Sequence, residues 1–333
     1  MKQIDFVFRT LLAELAQRIA HTPESELDTN GRFVPLSVKG RRYWYFDAAG
    51  FRGGKVRKYV GPDEDEAVRQ TVTRFKELKE DANARRKIVR MLVREANLPA
   101  PDPFAGKIIR SIADAGQFRS NCVLLERYAY QCFAAFLGVQ LPMVPWDSNE
   151  KAIGFSIRTN ADIVALRDIL RSADRSFAPE TFSGIRQGDV RFVNANGFRI
   201  ELAAPTLLTA YLVEDSAKSV VLYKSGVEVT IPRPERYAVH ELIMSARPVE
   251  DDNVLDREHS RMRALAVIEG MLCARRQADL AEAYEAAWTR NDSWKALIER
   301  GITLIDDMQR RTRILEGLTQ GMKDIGCDPS HVL

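Results

Sequence analysis

The change of pattern near Pro234 constrains the fold more than any other feature of this sequence. Before it, VRFVNANGFRIEL and SVVLYKSGVEVTIP each contain two strand-like runs around a turn rich in Asn, Ser and Gly, which is the pattern of a β-hairpin. After it, apolar residues recur at helical spacing through four segments: 234–246, 256–275, 277–290 and 292–318. Strands followed by a run of helices predict an α+β protein with a C-terminal helical bundle.

Further boundaries divide the chain before Pro234. The segment LPAPDP ends a stretch that reads as an amphipathic helix, a β-meander broken at glycines, and a long helix opening after Pro62. Beyond it, a CVLL strand, a helix ending at Gly138, an AIGFSI strand and a helix precede the two hairpins. We therefore predict three domains and a loose C-terminal tail; the domains are an N-terminal module (1–97), a mixed α/β core (104–233) and a helical domain (234–325).

Composition excludes several classes of protein. The net charge is only +3, so binding to a polyanion must come from a local patch. No run approaches the length of a membrane span, and Asp5 and Glu14 interrupt the N-terminal helix, which does not look like a signal peptide. The four cysteines have no CxxC spacing, so we expect reduced thiols and a cytoplasmic location. No Walker loop, GxGxxG, HExxH or Ser-His-Asp order is present.

The order of several segments carries a family resemblance. In chain order, the segments are GRRYWYFDAAGFRGGKVRKYVGP, VLLERYAYQCFAAFLGV, IGFSI, GFRIELAAP, IPRPERYAVHELIMSAR and DLAEAYEAAW. In this order they resemble a bacterial family of nucleotidyltransferase-fold proteins in the DNA polymerase β-like superfamily. The resemblance covers most of the chain and implies a nucleotidyltransferase-like mixed sheet between the N-terminal module and the helical bundle.

The chemistry of such enzymes explains which positions matter. Two metal ions hold the triphosphate and activate the acceptor hydroxyl, and Mg²⁺ prefers carboxylate ligands. Two aspartates at i and i+2 of a strand point the same way, a third acid comes from a neighbouring strand, and a Gly-Ser or Gly-Thr turn holds phosphates. The resemblance puts the two aspartates at Ala152 and Gly154, the phosphate turn at Glu126-Arg127, and the third acid at Glu201. It therefore implies a degenerate metal site and no bound metal, and Glu126 would repel a triphosphate.

The acids allow other interpretations. Asp147 and Glu150 lie just before the strand and could join Glu201 in a rearranged site, in which case Mg²⁺ would be the cofactor. They could equally be solvated loop acids, because Asp-x-x-Glu in a loop does not align its oxygens as i, i+2 does. Glu201 could be a relic paired with Arg199 or a nearby lysine.

The meander combines basic and aromatic residues. Alternation in RRYWYF puts Arg42, Trp44 and Phe46 on one face and Arg41, Tyr43 and Tyr45 on the other. Aromatic rings beside cations can stack bases while the charges neutralise phosphates. The candidate nucleic-acid-binding residues are Arg41, Arg42, Trp44, Lys55, Arg57 and Lys58. The alternative is a small sheet whose aromatics form its own core inside a solvated basic rim.

Three functions follow from these features. The first is a nucleotidyltransferase-like protein with a degenerate site, retained for binding nucleic acid, a nucleotide or a protein partner. The second is an active enzyme that transfers a nucleoside monophosphate to RNA or protein. The third is a non-catalytic subunit that docks through the helical bundle, with a protein partner or a second copy of the chain.

Overall fold

A computed structural model describes residues 1–21, 31–49, 55–120, 122–144, 151–157, 160–180, 190–203, 205–248 and 254–332. The strands are β1 (Lys2–Gln3), β2 (Arg32–Val38), β3 (Arg41–Ala49), β4 (Lys55–Pro62), β5 (Cys122–Leu124), β6 (Val139–Gln140), β7 (Ala152–Ile157), β8 (Ala178–Pro179), β9 (Val190–Val193), β10 (Arg199–Ala203), β11 (Ala217–Val221) and β12 (Val227–Ile231). The helices are α1 (Phe6–Ala20), α2 (Glu66–Arg94), α3 (Pro103–Asp114), α4 (Gln117–Ser120), α5 (Glu126–Leu137), α6 (Asn160–Ala173), α7 (Leu207–Val213), α8 (Pro234–Ser245), α9 (Val254–Cys273), α10 (Gln277–Arg290), α11 (Asp292–Thr303) and α12 (Met308–Asp324).

The fold is the predicted α+β arrangement. A five-stranded mixed sheet has the order β5-β7-β10-β9-β8, with β7 and β10 parallel and the other neighbours antiparallel. Both predicted hairpins are present as β9–β10 and β11–β12. The Asn194 side chain organises the first turn by accepting the backbone N–H groups of Asn196 and Phe198, and Gly197 provides a φ of +72°.

One buried cluster joins the sheet to the C-terminal helices. It extends in sequence from Ala105 to Met322 and includes Phe133 of α5 and Tyr237 of α8, whose ring centroids are 4.9 Å apart. The Tyr211 hydroxyl donates to the Ala283 carbonyl oxygen at 2.7 Å. The sheet and the helical bundle therefore share one core.

The N-terminal segments form a second sheet and also contact the core. The sheet β2-β3-β4 packs against α2, which begins where the Asp65 side chain accepts the Ala67 N–H. Helix α1 and the end of α2 share a buried cluster with Ala134 of α5, and β1 pairs with β6. Apolar contacts therefore cross from the N-terminal module into the core, so the structure does not separate these two parts at the predicted boundary. The division into three domains stays a prediction.

Two predictions about the C-terminus were wrong. The helix expected over 292–318 is two helices, since α11 ends at Thr303 and Asp307 caps α12 by accepting the Arg310 N–H. The expected loose tail is anchored: His331 stacks on Trp288 with ring centroids 5.6 Å apart, and its carbonyl oxygen accepts the Tyr284 hydroxyl. Among the described helices, none combines the length and the hydropathy needed to cross a membrane.

Candidate functional site

The two parallel strands at the centre of the sheet carry the positions at which the resemblance expects metal ligands. Ala152 pairs with Arg199 and Gly154 pairs with Glu201. Side chains alternate along a strand, so these four residues share one face of the sheet. Only one of them is a carboxylate.

The turn between β5 and α5 keeps a shape that glycine normally provides. Glu126, the first residue of α5, has a φ of +54°, in the left-handed region where a side chain costs about 1–2 kcal/mol. The preceding residue, Leu125, donates its N–H to the Gly154 carbonyl oxygen at 2.9 Å. The backbone therefore ties this turn to β7, and a glutamate stands at the strained position.

The Glu126 side chain occupies the space above Gly154. A Cβ atom built on Gly154 would lie 2.7 Å from Glu126 Cδ, 2.9 Å from its Oε2 and 3.1 Å from its Cγ. Real Cβ atoms are essentially never found within 3.0 Å of a heavy atom that belongs neither to their own residue nor to its chain neighbours. An aspartate at residue 154 would therefore require the flexible end of the Glu126 side chain to move away.

Glu201 is engaged by an arginine on the neighbouring strand. Arg191 on β9 lies opposite Glu201 in the register, and its Nη2 is 2.8 Å from Glu201 Oε1. Both side chains are 26% exposed, and Arg191 is also 3.4 Å from Glu180. The expected partners of Glu201, Arg199 or a lysine, were wrong. The hairpin pattern predicts the observed partner, because strand pairing about the Asn194–Gly197 turn places Arg191 opposite Glu201.

A buried ion pair lies beside this face, between α8 and α9. Glu241 Oε2 accepts Arg263 Nε at 2.6 Å, and His240 Nδ1 is 3.2 Å from Glu241 Oε1. Burial raises the pKa of Glu241, but Arg263 and His240 outweigh it and lower that pKa to about 2. Burial lowers the pKa of Arg263, but Glu241, Tyr237 and Glu126 have the larger, opposite effect, so that the pKa lies above its ordinary value. Glu126 and Arg263 therefore interact electrostatically, and this interaction connects the turn to the helical bundle.

Two further acids, Asp147 and Glu150, were considered for a metal site. Asp147 and Glu150 lie outside the described residues. Within the described ranges there is no group of three or more His, Cys, Asp or Glu side chains arranged to hold a metal ion. The four cysteines are free thiols, and burial raises the pKa of the Cys132 thiol to about 12.

The basic meander has two distinct faces. On the face toward α2, Trp44 is 8% exposed, packs with Val68 and Val72, and donates its indole N–H to Asp63 at 2.6 Å. Trp44 was therefore wrongly assigned as a base-stacking residue, because its ring belongs to the core of this module. Arg42 lies over the Trp44 ring at 5.4 Å.

The opposite face carries the aromatic residues that remain accessible. Tyr45 pairs with Tyr59, and Tyr59 is 55% exposed. Of the other candidate residues, Arg41 and Lys58 are exposed and Arg57 is held by Asp47, while the side chain of Lys55 is outside the described part. Tyr59 belongs to the aromatic residues of the meander but was not among the assigned binding residues, although alternation in KVRKYV places it on the same face as Arg57.

The fold and this site define a class: an α+β protein with a nucleotidyltransferase-like arrangement of sheet and helical bundle. A family model described as Nucleotidyltransferase matches residues 202–289, from the end of β10 into α10. The match supports a nucleotidyltransferase family for about a quarter of the chain, and it begins just after Glu201. The curated proteins compared with the chain gave no match.

Proposed function

We propose that this nucleotidyltransferase-like protein acts by binding nucleic acid and does not transfer nucleotides through a two-metal site. The observation that carries the second half, the absence of two-metal transfer, is the Glu126 carboxylate over Gly154. It fills the space that a second strand aspartate would need, while Ala152 offers no ligand and Glu201 is paired with Arg191.

Electrostatics supports the loss of two-metal chemistry. Two divalent cations about 3.5–4 Å apart need several carboxylates to offset their repulsion. Among the described residues, this face offers two acids, Glu126 above Gly154 and Glu201, whose Oε1 is 2.8 Å from Arg191, and Arg199 lies beside Ala152. Arg191 and Arg199 thus supply positive charge on the face where a nucleotidyltransferase would bind its metal ions.

Nucleic acid is the proposed ligand because of the charge of the N-terminal sheet. Residues 31–62 contain eight Lys and Arg residues and one acid, whereas the whole chain has a net charge of only +3. A local patch of this kind attracts a polyanion even when the whole protein is nearly neutral. Bacterial origin and cytoplasmic location stay predictions, as do docking to a protein partner and self-association.

A transfer assay tests the catalytic half. Labelled nucleoside triphosphates with Mg²⁺ or Mn²⁺ are expected to leave no label on RNA or on protein, and Glu201→Ala should behave like the wild type. Transfer that disappears in Glu201→Ala would instead establish the active-enzyme alternative. As a positive comparison, Glu126→Ser combined with Ala152→Asp and Gly154→Asp should gain Mn²⁺ binding in a titration, provided that circular dichroism shows it folded.

A further inference from the structure

The positive charge of the chain is concentrated in one small sheet. The eight basic residues and one acid of residues 31–62 give this segment a net charge of +7, so the rest of the chain is net negative. The single acid is Asp47, which is 6% exposed and accepts Arg57 Nε at 2.6 Å and Arg57 Nη2 at 3.0 Å. A hydrogen bond from Arg57 lowers the pKa of Asp47, so Asp47 stays charged and fixes Arg57. The six basic side chains that the structure describes in this segment outnumber the one acid, so the described part of this surface is net positive.

The face of this sheet directed away from α2 carries a group of three tyrosines. The ring centroids of Tyr43 and Tyr59 are 6.2 Å apart, and those of Tyr45 and Tyr59 are 5.5 Å apart. None of the three belongs to the buried clusters formed by the described residues. The tyrosine face, as we call it, consists of these three rings and the side chains of Val34 and Leu36 on β2, which pair with β3 on the same side.

Cationic side chains lie at both ends of the tyrosine face. Arg41 begins β3 on the same side of the strand as Tyr43 and Tyr45, and it is exposed. At the other end, Arg57 and Arg32 flank Asp47, and their side chains are 46% and 61% exposed. Residues 41 and 47 are separated by about 20 Å at about 3.3 Å per residue. Aromatic rings thus lie between two guanidinium sites along one strand.

We infer that the tyrosine face binds single-stranded nucleic acid, with unpaired bases on Tyr43, Tyr45 and Tyr59 and phosphates on Arg41, Arg57 and Arg32. This inference rests on the proposed function and names the site and the class of its ligand. Unpaired bases expose π-faces that tyrosine rings can stack on, whereas a duplex buries those faces in its own stack. The density of positive charge favours a polyanion over an ordinary protein surface.

Fluorescence anisotropy with three labelled probes tests the inference. The probes are a 12-nucleotide oligouridylate, a 12-nucleotide oligothymidylate and a 12-base-pair duplex, each titrated between 50 and 200 mM NaCl. We expect tight binding to at least one single strand and at least tenfold weaker binding to the duplex. Comparison of the two single strands decides between RNA and DNA, and preference for either one supports the inference.

Variants separate stacking from charge. Tyr45→Ala and Tyr59→Ala should each weaken binding about tenfold without changing the salt dependence, because stacking releases no counterions. Tyr59→Phe keeps the ring and should bind like the wild type. Arg41→Ala should reduce the slope of log affinity against log salt by about 0.7, whereas Arg90→Ala, an exposed arginine on α2, should leave it unchanged. Tyr59 is exposed enough that its truncation leaves the sheet folded.

The outcomes distinguish failure of this inference from failure of the proposed function. Single-strand binding that is unaffected by both tyrosine truncations would overturn the tyrosine face and leave nucleic-acid binding elsewhere on the chain. Equal affinity for the duplex would also overturn it. No binding of any probe at 50 mM NaCl would overturn both proposals and leave this face to a protein partner.

Discussion

The position of Glu126 over Gly154 makes a quantitative prediction about Gly154→Ala. The added methyl group would overlap Glu126 Cδ and Oε2, at 2.7 and 2.9 Å. Overpacking of this kind destabilises by about 1–3 kcal/mol. Alanine is better than glycine within a strand by about 0.5–1 kcal/mol, so the net loss in the wild-type background lies between about 0 and about 2.5 kcal/mol. The loss is smallest if the flexible end of Glu126 rotates aside.

Removal of the Glu126 side chain should reverse the sign. In a Glu126→Ala background the overlapping atoms are gone, and Gly154→Ala should stabilise by about 0.5–1 kcal/mol through the strand preference alone. The two substitutions should therefore show a coupling free energy of about 1–3 kcal/mol. In the Gly154→Ala variant, Glu126 could avoid the added methyl group only by moving away from residue 154 and from the charge of Arg263. The lost attraction to Arg263 would then be part of the measured coupling free energy.

Urea denaturation of the four proteins in this cycle measures the coupling. Asp168→Ala is the matched control, since Asp168 is an exposed acid on α6 and should be additive with Gly154→Ala. If Glu126→Ala and Gly154→Ala are additive within about 0.5 kcal/mol, the carboxylate does not occupy this space and the argument against a second strand aspartate fails.

The other predictions concern stability. Glu241→Gln should destabilise by about 3–5 kcal/mol, because the buried Arg263 would lose the carboxylate charge that offsets its own, and denaturant titration at pH 7 checks this. Because the folded pKa of Glu241, about 2, lies below its ordinary value of 4.5, its contribution is present above about pH 4.5 and lost between about pH 4.5 and pH 2. Acid titrations of the wild type and Glu241→Gln should therefore converge in that range, and parallel curves would contradict the assignment. Trp44→Ala should destabilise the N-terminal sheet by about 3–5 kcal/mol by opening a cavity, whereas Tyr59→Ala should change thermal stability by less than 1 kcal/mol. Equal losses would mean that the two faces were assigned wrongly.

The sequence predicted the local elements well because their signals are local. Turn residues and alternation specify the β9–β10 and β11–β12 hairpins, and helical spacing with an acidic N-terminus specifies α2. The failure over 292–318 has a local cause as well. The apolar period continues across residues 304–307, but the backbone turns there and Asp307 begins a new helix as its cap.

The candidate site was harder to predict because its contacts join distant segments. Alternation indicated two faces in RRYWYF, but only the packing of α2 determined that Trp44 is the inward one. The pairing of Glu201 with Arg191 follows from the hairpin register. The position of the Glu126 side chain above Gly154, in contrast, brings together residues 28 positions apart. No periodicity in the sequence brings a turn residue over a strand in this way.

If the metal site is degenerate, as we propose, Glu126 links the loss of metal ligands to the preservation of the fold. A turn with φ of +54° is strained for glutamate, so substitution of a glycine there costs stability unless the new side chain gains contacts. The space above Gly154 and the charge of Arg263 provide such contacts, and Arg263 is itself held by Glu241 in the bundle. An enzyme of this fold needs that space for a metal-binding aspartate and that turn for phosphates. In the function that we propose, the same glutamate side chain therefore fills the place of the second strand aspartate and puts negative charge at the phosphate position. Of the three carboxylates that the resemblance expects, the described residues then keep only Glu201.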